Sequence, residues 1–139
     1  MRTKQTLVLM ECIVMIMVFS LCAVICVKAF VWANETAQEN KDLSMAMMAV
    51  QNAAEAVKGC SGDFAEAAEC LGHRSCETES MTLCFNENWE AVCEEEAAFY
   101  ITGQITDSGM DLLGQAELLA TRQNGTELFS LTVCWQEAG

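Results

Sequence analysis

The side chains able to do chemistry are few, and they are mostly thiols and carboxylates. Six cysteines lie beyond residue 33: Cys60, Cys70, Cys76, Cys84, Cys93 and Cys134. The single histidine, His73, falls midway between Cys70 and Cys76, three residues from each. Thiolate and imidazole are zinc ligands, and this trio would fill three positions of a tetrahedral site. No fourth ligand suggests itself. His73 and Cys76 are also the elements of a nucleophile pair, but no residue is identifiable to orient the imidazole and no loop to receive an oxyanion. Glu90 with Glu94, Glu95 and Glu96 offers the oxygens that calcium prefers, although a solvated acidic loop explains them more simply. The chain has no glycine-rich phosphate loop and no serine-centred elbow. The expectation is therefore no catalytic residue, no metal site and no cofactor. An even cysteine count in a small exported domain suggests disulfides. Six cysteines allow 15 connectivities, and spacing does not choose among them. Free thiols in a reducing envelope are the competing reading.

A different carboxylate, Glu11, stands out by its surroundings. Residues 7–27 form an apolar run of 21 positions interrupted only by Glu11 and Ser20, and the apolar character continues to Ala33. About 20 such residues cross the hydrocarbon core of a bilayer as a helix. A carboxylate there is costly. Either it lies near the cytoplasmic headgroups, or it is the buried partner of a positive charge on another chain. Cys12, Cys22 and Cys26, within the run, act as small apolar side chains. Trp32, at its end, suits an interfacial anchor. A cleaved secretory signal has an apolar stretch of about 7–15 residues, and the charge-free run from Cys12 to Val27 exceeds that. A lipoprotein reading of the string around Cys22 and Cys26 conflicts with the apolar residues that follow both.

Charge divides the chain at the same place. Up to Ala33, Arg2, Lys4 and Lys28 outweigh Glu11 and leave a balance of +2; from Asn34 on, four cations face 19 carboxylates, a balance of −15. A short basic end ahead of an apolar helix stays in the cytoplasm while the remainder crosses. The acidic domain, 34–139, is thus expected outside, and its charge argues against nucleic acid and anionic lipid as partners.

These residues must be positioned by a helix and a small sheet. Leu43, Met47, Val50, Ala54 and Val57, widened by Ala46, Ala49 and Ala53, mark one helical face over 34–58. The chain has no proline, and no glycine precedes Gly59, so nothing forces a break between the membrane helix and this one. Gly59 is a natural stop. Asp63 is suited to cap a short helix, Phe64 to Leu71, inside the cysteine-bearing connection 59–80. Four strands are expected within 81–135: Met81 to Phe85, Ala98 to Thr106, Leu112 to Arg122 and Thr126 to Trp135. Asn86 to Asn88 and Asp107 to Gly109 supply turns, and Trp89 to Glu96 is ambiguous. Asn124-Gly125 favours a type I′ hairpin. Phe129, Leu131, Val133 and Trp135 share the strand face that should meet the helix. The expected fold is α+β, one long N-terminal helix laid on a small antiparallel meander, with the Met/Ala stripe and Trp89 and Trp135 in its core.

The run TLVLMECIVMIMVFSLCAVICVKAF resembles the N-terminal segment of type IV pilins and type II secretion pseudopilins. In that family a short basic leader precedes a small residue, four apolar residues, a Glu and an apolar helix. Here Arg2 and Lys4 stand as the leader (1–6), Leu7 to Met10 as the apolar four, and Glu11 falls fifth. Thr6 stands where the family has Gly before the cleaved bond. The segments SMAMMAVQNAAEAVK and ELFSLTVCW are similar to those of short pilin-like proteins of clostridial bacteria. The resemblance implies a pilin-like fold and cleavage between Thr6 and Leu7. It also implies a structural, non-enzymatic subunit of a pilus or pseudopilus in which Glu11 compensates a neighbour's positive terminus. The implied partners are other pilin-like subunits, a prepilin peptidase and a membrane assembly platform. The competing expectation is a single-pass, signal-anchored binding domain, stapled by disulfides, that never polymerises.

Overall fold

The computed structural model describes residues 2–73 and 79–137. The chain divides between Lys41 and Asp42 into two compact units. One helix, α1, covers Arg2–Gly59 and contributes to both. It begins ahead of Leu7, so residues 2–6 are helical too. Its N-terminal part satisfies its own hydroxyls: Thr6 Oγ1 donates to the Arg2 carbonyl and Ser20 Oγ to the Ile16 carbonyl, each at 2.8 Å. Such i−4 bonding lets a hydroxyl sit on a helix without an external partner.

The second unit is the α+β fold expected from the sequence. After α1 come α2 (Phe64–Cys70) and the strands β1 (Ser80–Phe85), β2 (Phe99–Thr106), β3 (Leu113–Arg122) and β4 (Glu127–Gln136). The strands form one antiparallel sheet in sequence order, β1-β2-β3-β4. Alternation places Met81 and Leu83, Ile101 and Gly103, Ala116 and Leu118, and Val133 and Trp135 on the inner face, as a two-residue period requires. Residues 46–57 of α1 and α2's Phe64, Ala67 and Ala68 complete that core.

The helix face differs in detail from the expected Met/Ala stripe. Ala46, Val50, Ala53, Ala54 and Val57 are buried, whereas Leu43 and Met47 remain more than a third exposed and Met48 more than half. Alanine and valine thus supply the buried part of the helix face, and Met47 and Met48 flank it. At the head of the buried face stands Asp42, 8% exposed. Its Oδ2 accepts a hydrogen bond from Arg122 Nη2 at 2.7 Å. The Arg122 guanidinium in turn lies 6.0 Å from the centre of the Phe99 ring.

Two turns settle ambiguities. The Asn124-Gly125 hairpin is not type I′. Arg122 N donates to the Thr126 carbonyl and Gly125 N to the Arg122 carbonyl, giving a three-residue loop in which Gly125 alone takes a positive φ, +85°. Asn124 keeps a negative φ because its side chain is used instead, Oδ1 accepting from Thr126 N at 3.0 Å. That is an Asx turn, and a β-bulge between Ala120 and Thr121 absorbs the extra residue. The acidic stretch after β1 turns back on that strand. Asn86 Oδ1 accepts from Asn88 N and Glu90 N, Ala91 bridges Phe85, and Glu94–Glu96 forms a single 3₁₀ turn. Trp89, at φ +62°, stacks on Phe99 with ring centres 4.3 Å apart. That contact holds a bulky residue in a backbone region it seldom enters.

Trp135 is positioned by glycine. A Cβ at Gly62 or at Gly114 would fall 2.3 Å from its indole ring. The ring therefore occupies the space those two missing side chains leave, and it ties the turn after α1 to β3.

Candidate functional site

Glu11 sits in α1 with no buried residue anywhere from 7 to 33. Its neighbours one turn away on the helix surface are Leu7, Val8, Val14 and Met15, all exposed and all apolar. Residues three and four apart are the ones that touch on a helix, so the helix itself offers Glu11 no cation. Among the described residues the ion pair is Asp42–Arg122, and Glu11 makes none. The Thr6–Leu7 peptide bond lies inside the helix, with Thr6 bonded back to Arg2. The helix passes the length and composition test for a membrane span.

The cysteines separate into groups. Cys12, Cys22 and Cys26 are exposed along α1. Cys60 is half-buried against the core just after α1, and Cys70 is the exposed last residue of α2. Burial is the chief cause that pushes the Cys60 thiol above its ordinary range, and the negative charge of Glu66 adds to it. Cys84 is buried on β1, while Cys93 and Cys134 are exposed. Cys76 lies outside the described residues, and with it the third member of the Cys70–His73–Cys76 set. Of the other two, Cys70 is exposed at the end of α2. His73 packs its ring edge-on against Phe85 at 5.1 Å, and burial lowers its pKa. Among the described residues no group of three or more metal-ligating side chains converges. Glu94, Glu95 and Glu96 are all exposed.

A groove of about 220 Å³ runs beside α1, between Met45 and Met48 on one side and Leu71, His73, Phe85 and Trp89 on the other. Its lining is apolar apart from His73 and Asn52, and no constellation of acid, base and nucleophile opens into it. The residue pair that sequence reasoning missed is Asp42–Arg122. The signal was present, since Asp42 is spaced four residues before Ala46 and continues the buried face.

Comparison with protein families, with curated proteins and with solved structures finds no match to this chain.

Proposed function

We propose that the chain is a structural subunit, a minor one, of a type IV pilus or a type II secretion-like pseudopilus, with no catalytic activity of its own. One observation carries the reading: a carboxylate on a fully exposed apolar helix, with no cation within a turn of it. Such a surface needs either lipid or other helices around it. In the membrane the chain is held as a single-pass monomer, N-terminus in the cytoplasm and acidic domain outside. On assembly the apolar segment leaves lipid for a bundle of identical or related helices. There Glu11 compensates the terminal amine of a neighbouring subunit, freed by a prepilin peptidase, and an assembly platform drives the transfer. The covered apolar area stabilises the bundle, and the charge pair sets its stagger.

Glu11→Ala tests this directly. The expected outcome is normal membrane insertion with loss of incorporation into filaments or pseudopilus complexes, read by fractionation and immunoblot of sheared surface material. Normal incorporation of the variant would sink the proposal.

Thr6 favours a second reading, a permanently anchored binding domain. A threonine before the scissile bond, within a helix and bonded to Arg2, is a poor substrate for a peptidase that accepts Gly in the family the segment resembles. Intact mass and N-terminal sequencing of the protein from native membranes separate the two. A start at Leu7 supports the subunit, and retention of Arg2 and Lys4 supports the anchor.

A further inference from the structure

The two edges of the sheet, β1 and β4, are treated differently. The chain folds back over the end of β1. Val92 N donates to the Cys84 carbonyl at 3.1 Å, Asn86 N donates to the Glu90 carbonyl at 3.0 Å, and Ala91 bridges Phe85. Among the described residues nothing does the same for β4. Its outward groups can be identified from its ladder. Glu137 N donates to the Leu112 carbonyl, one step beyond the Leu113–Gln136 pair. The odd-numbered residues of β4 are therefore the ones that bond to β3, because bonded positions alternate along an antiparallel pair. The register shift at Ala120/Thr121 falls before Phe129, so this alternation runs unbroken from Phe129 to Gln136. The N–H and C=O groups of Ser130, Thr132, Cys134 and Gln136 thus point away from the sheet. All four residues are exposed.

Exposed edge strands are normally blunted by Lys, by Pro, by a bulge or by a covering segment. Over residues 129–136 β4 has none of these: it holds no Lys, Arg or Pro, and its bulge comes earlier. The charges around this bare stretch are carboxylates. Glu127 precedes it, Glu137 follows it, and Glu117 stands opposite Thr132 on β3, all three exposed. We infer that β4 is a strand-addition site for an extended segment of another protein, an uncharged run with Lys or Arg on both flanks. Antiparallel addition from Ser130 to Gln136 takes about seven residues over roughly 20 Å and makes about eight backbone bonds. In this mode main-chain bonds supply the affinity. The flanking cations meet Glu127 and Glu137 and select the partner. A second copy of the chain is the poorer occupant. From Asn34 on, four cations face 19 carboxylates, so two such units repel one another. The site lies wholly within the second unit, goes beyond the subunit reading, and stands whether or not the chain polymerises.

Photocrosslinking of the full chain in native membranes decides the matter. A benzophenone-bearing phenylalanine analogue is placed in turn at Ser130, Thr132 and Cys134, and the crosslinked peptides are sequenced by mass spectrometry. The expected adduct is one segment of one partner, with Lys or Arg at both ends. Its attachment point should move two residues toward the partner's N-terminus for each step from Ser130 to Thr132 to Cys134. That reversed walk marks antiparallel pairing, and mere proximity does not produce it. Attachment to β4 of a second copy, adducts without the walk, or no protein adduct at all would overturn the inference. Two variants then test the backbone and the charge separately. Thr132→Pro removes an outward N–H that β3 does not use. It should cut the yield from Ser130 and Cys134 at least about fivefold, while the second unit keeps a cooperative thermal transition. Glu127→Gln combined with Glu137→Gln alters only exposed side chains and leaves the fold out of question. It should lower the yield about threefold at low salt. Full yield from Thr132→Pro would remove the backbone pairing, and full yield from the double variant would remove the basic-flanked partner; either result sinks the proposal.

Discussion

The two parts of α1 solve opposite problems with one backbone. From Leu7 to Ala33 the helix is apolar on every side, and none of it is buried. From Asp42 to Val57 a single face is buried, made largely of alanine, and the rest is polar or flanking methionine. The second part finds its partner in the same chain, in the inner face of the sheet. The first part has none there among the described residues. A helix apolar all round belongs to a membrane or a bundle, while one with a stripe belongs to a globular core. Polar residues follow the same division. Asp42 is paired with Arg122 within its own unit, whereas Glu11 makes no ion pair among the described residues.

The sharpest way to break this comparison is to place the same substitution in both parts. Val50 is fully buried, so Val50→Asp should destabilise the second unit by about 4 kcal/mol or more, an unpaired charge replacing a packed side chain. Loss of the folded transition in thermal unfolding is the readout. Val18 is 53% exposed. Val18→Asp should leave the unfolding of the second unit unchanged within about 0.5 kcal/mol. It should instead cost about 3 kcal/mol for insertion, seen as a loss of the protein from the membrane fraction. If Val18→Asp also melted the second unit, the two parts would not be independent.

Much of this division was legible in the chain itself. The absence of proline and of early glycine foretold an unbroken helix, and each strand fell within a residue or so of its expected ends, because alternation at period two is a local signal. Trp135's inward direction followed from the same alternation. What escaped was non-local. The hairpin type depended on the Asn124 side chain competing with the turn backbone. Which apolar residues of α1 turn inward, Ala46 and Val50 rather than Leu43 and Met47, depended on where the rest of the core meets the helix, which no helical pattern records. Asp42 and Arg122 are 80 positions apart, and one-dimensional spacing does not pair them. For Glu11 the position in the apolar run was evident from sequence.

The Asp42–Arg122 pair gives a smaller effect at the junction of the two parts. Arg122 is about a third exposed and keeps some water when its partner is removed, so the cost of Asp42→Asn is moderate, about 1–2 kcal/mol. It should appear as a lower urea midpoint for the second unit with unchanged slope. Hydrogen exchange should locate the loosening in the first turns after Lys41, leaving 2–33 as it was. A wild-type midpoint in the variant would mean that the bridge holds nothing and that the buried face effectively begins at Ala46.

The smallest effect separates two ways of building the second part. If methionines carried the helix–sheet contact, Met47→Gln would empty the core and cost several kcal/mol. Met47 is instead 37% exposed, beside Ala46 and Val50, which are wholly buried. The substitution keeps chain length and helix propensity nearly constant, so it removes apolar surface at the margin and little else. The expected change is within about 0.5 kcal/mol in urea unfolding. Ala46→Met should behave in the opposite way, costing about 1–3 kcal/mol by forcing side-chain volume into a close contact. A large loss from Met47→Gln with tolerance of Ala46→Met would exchange the roles of the two faces. The second part of α1 would then carry a methionine seam in its core, and the alanine face would be the one left open.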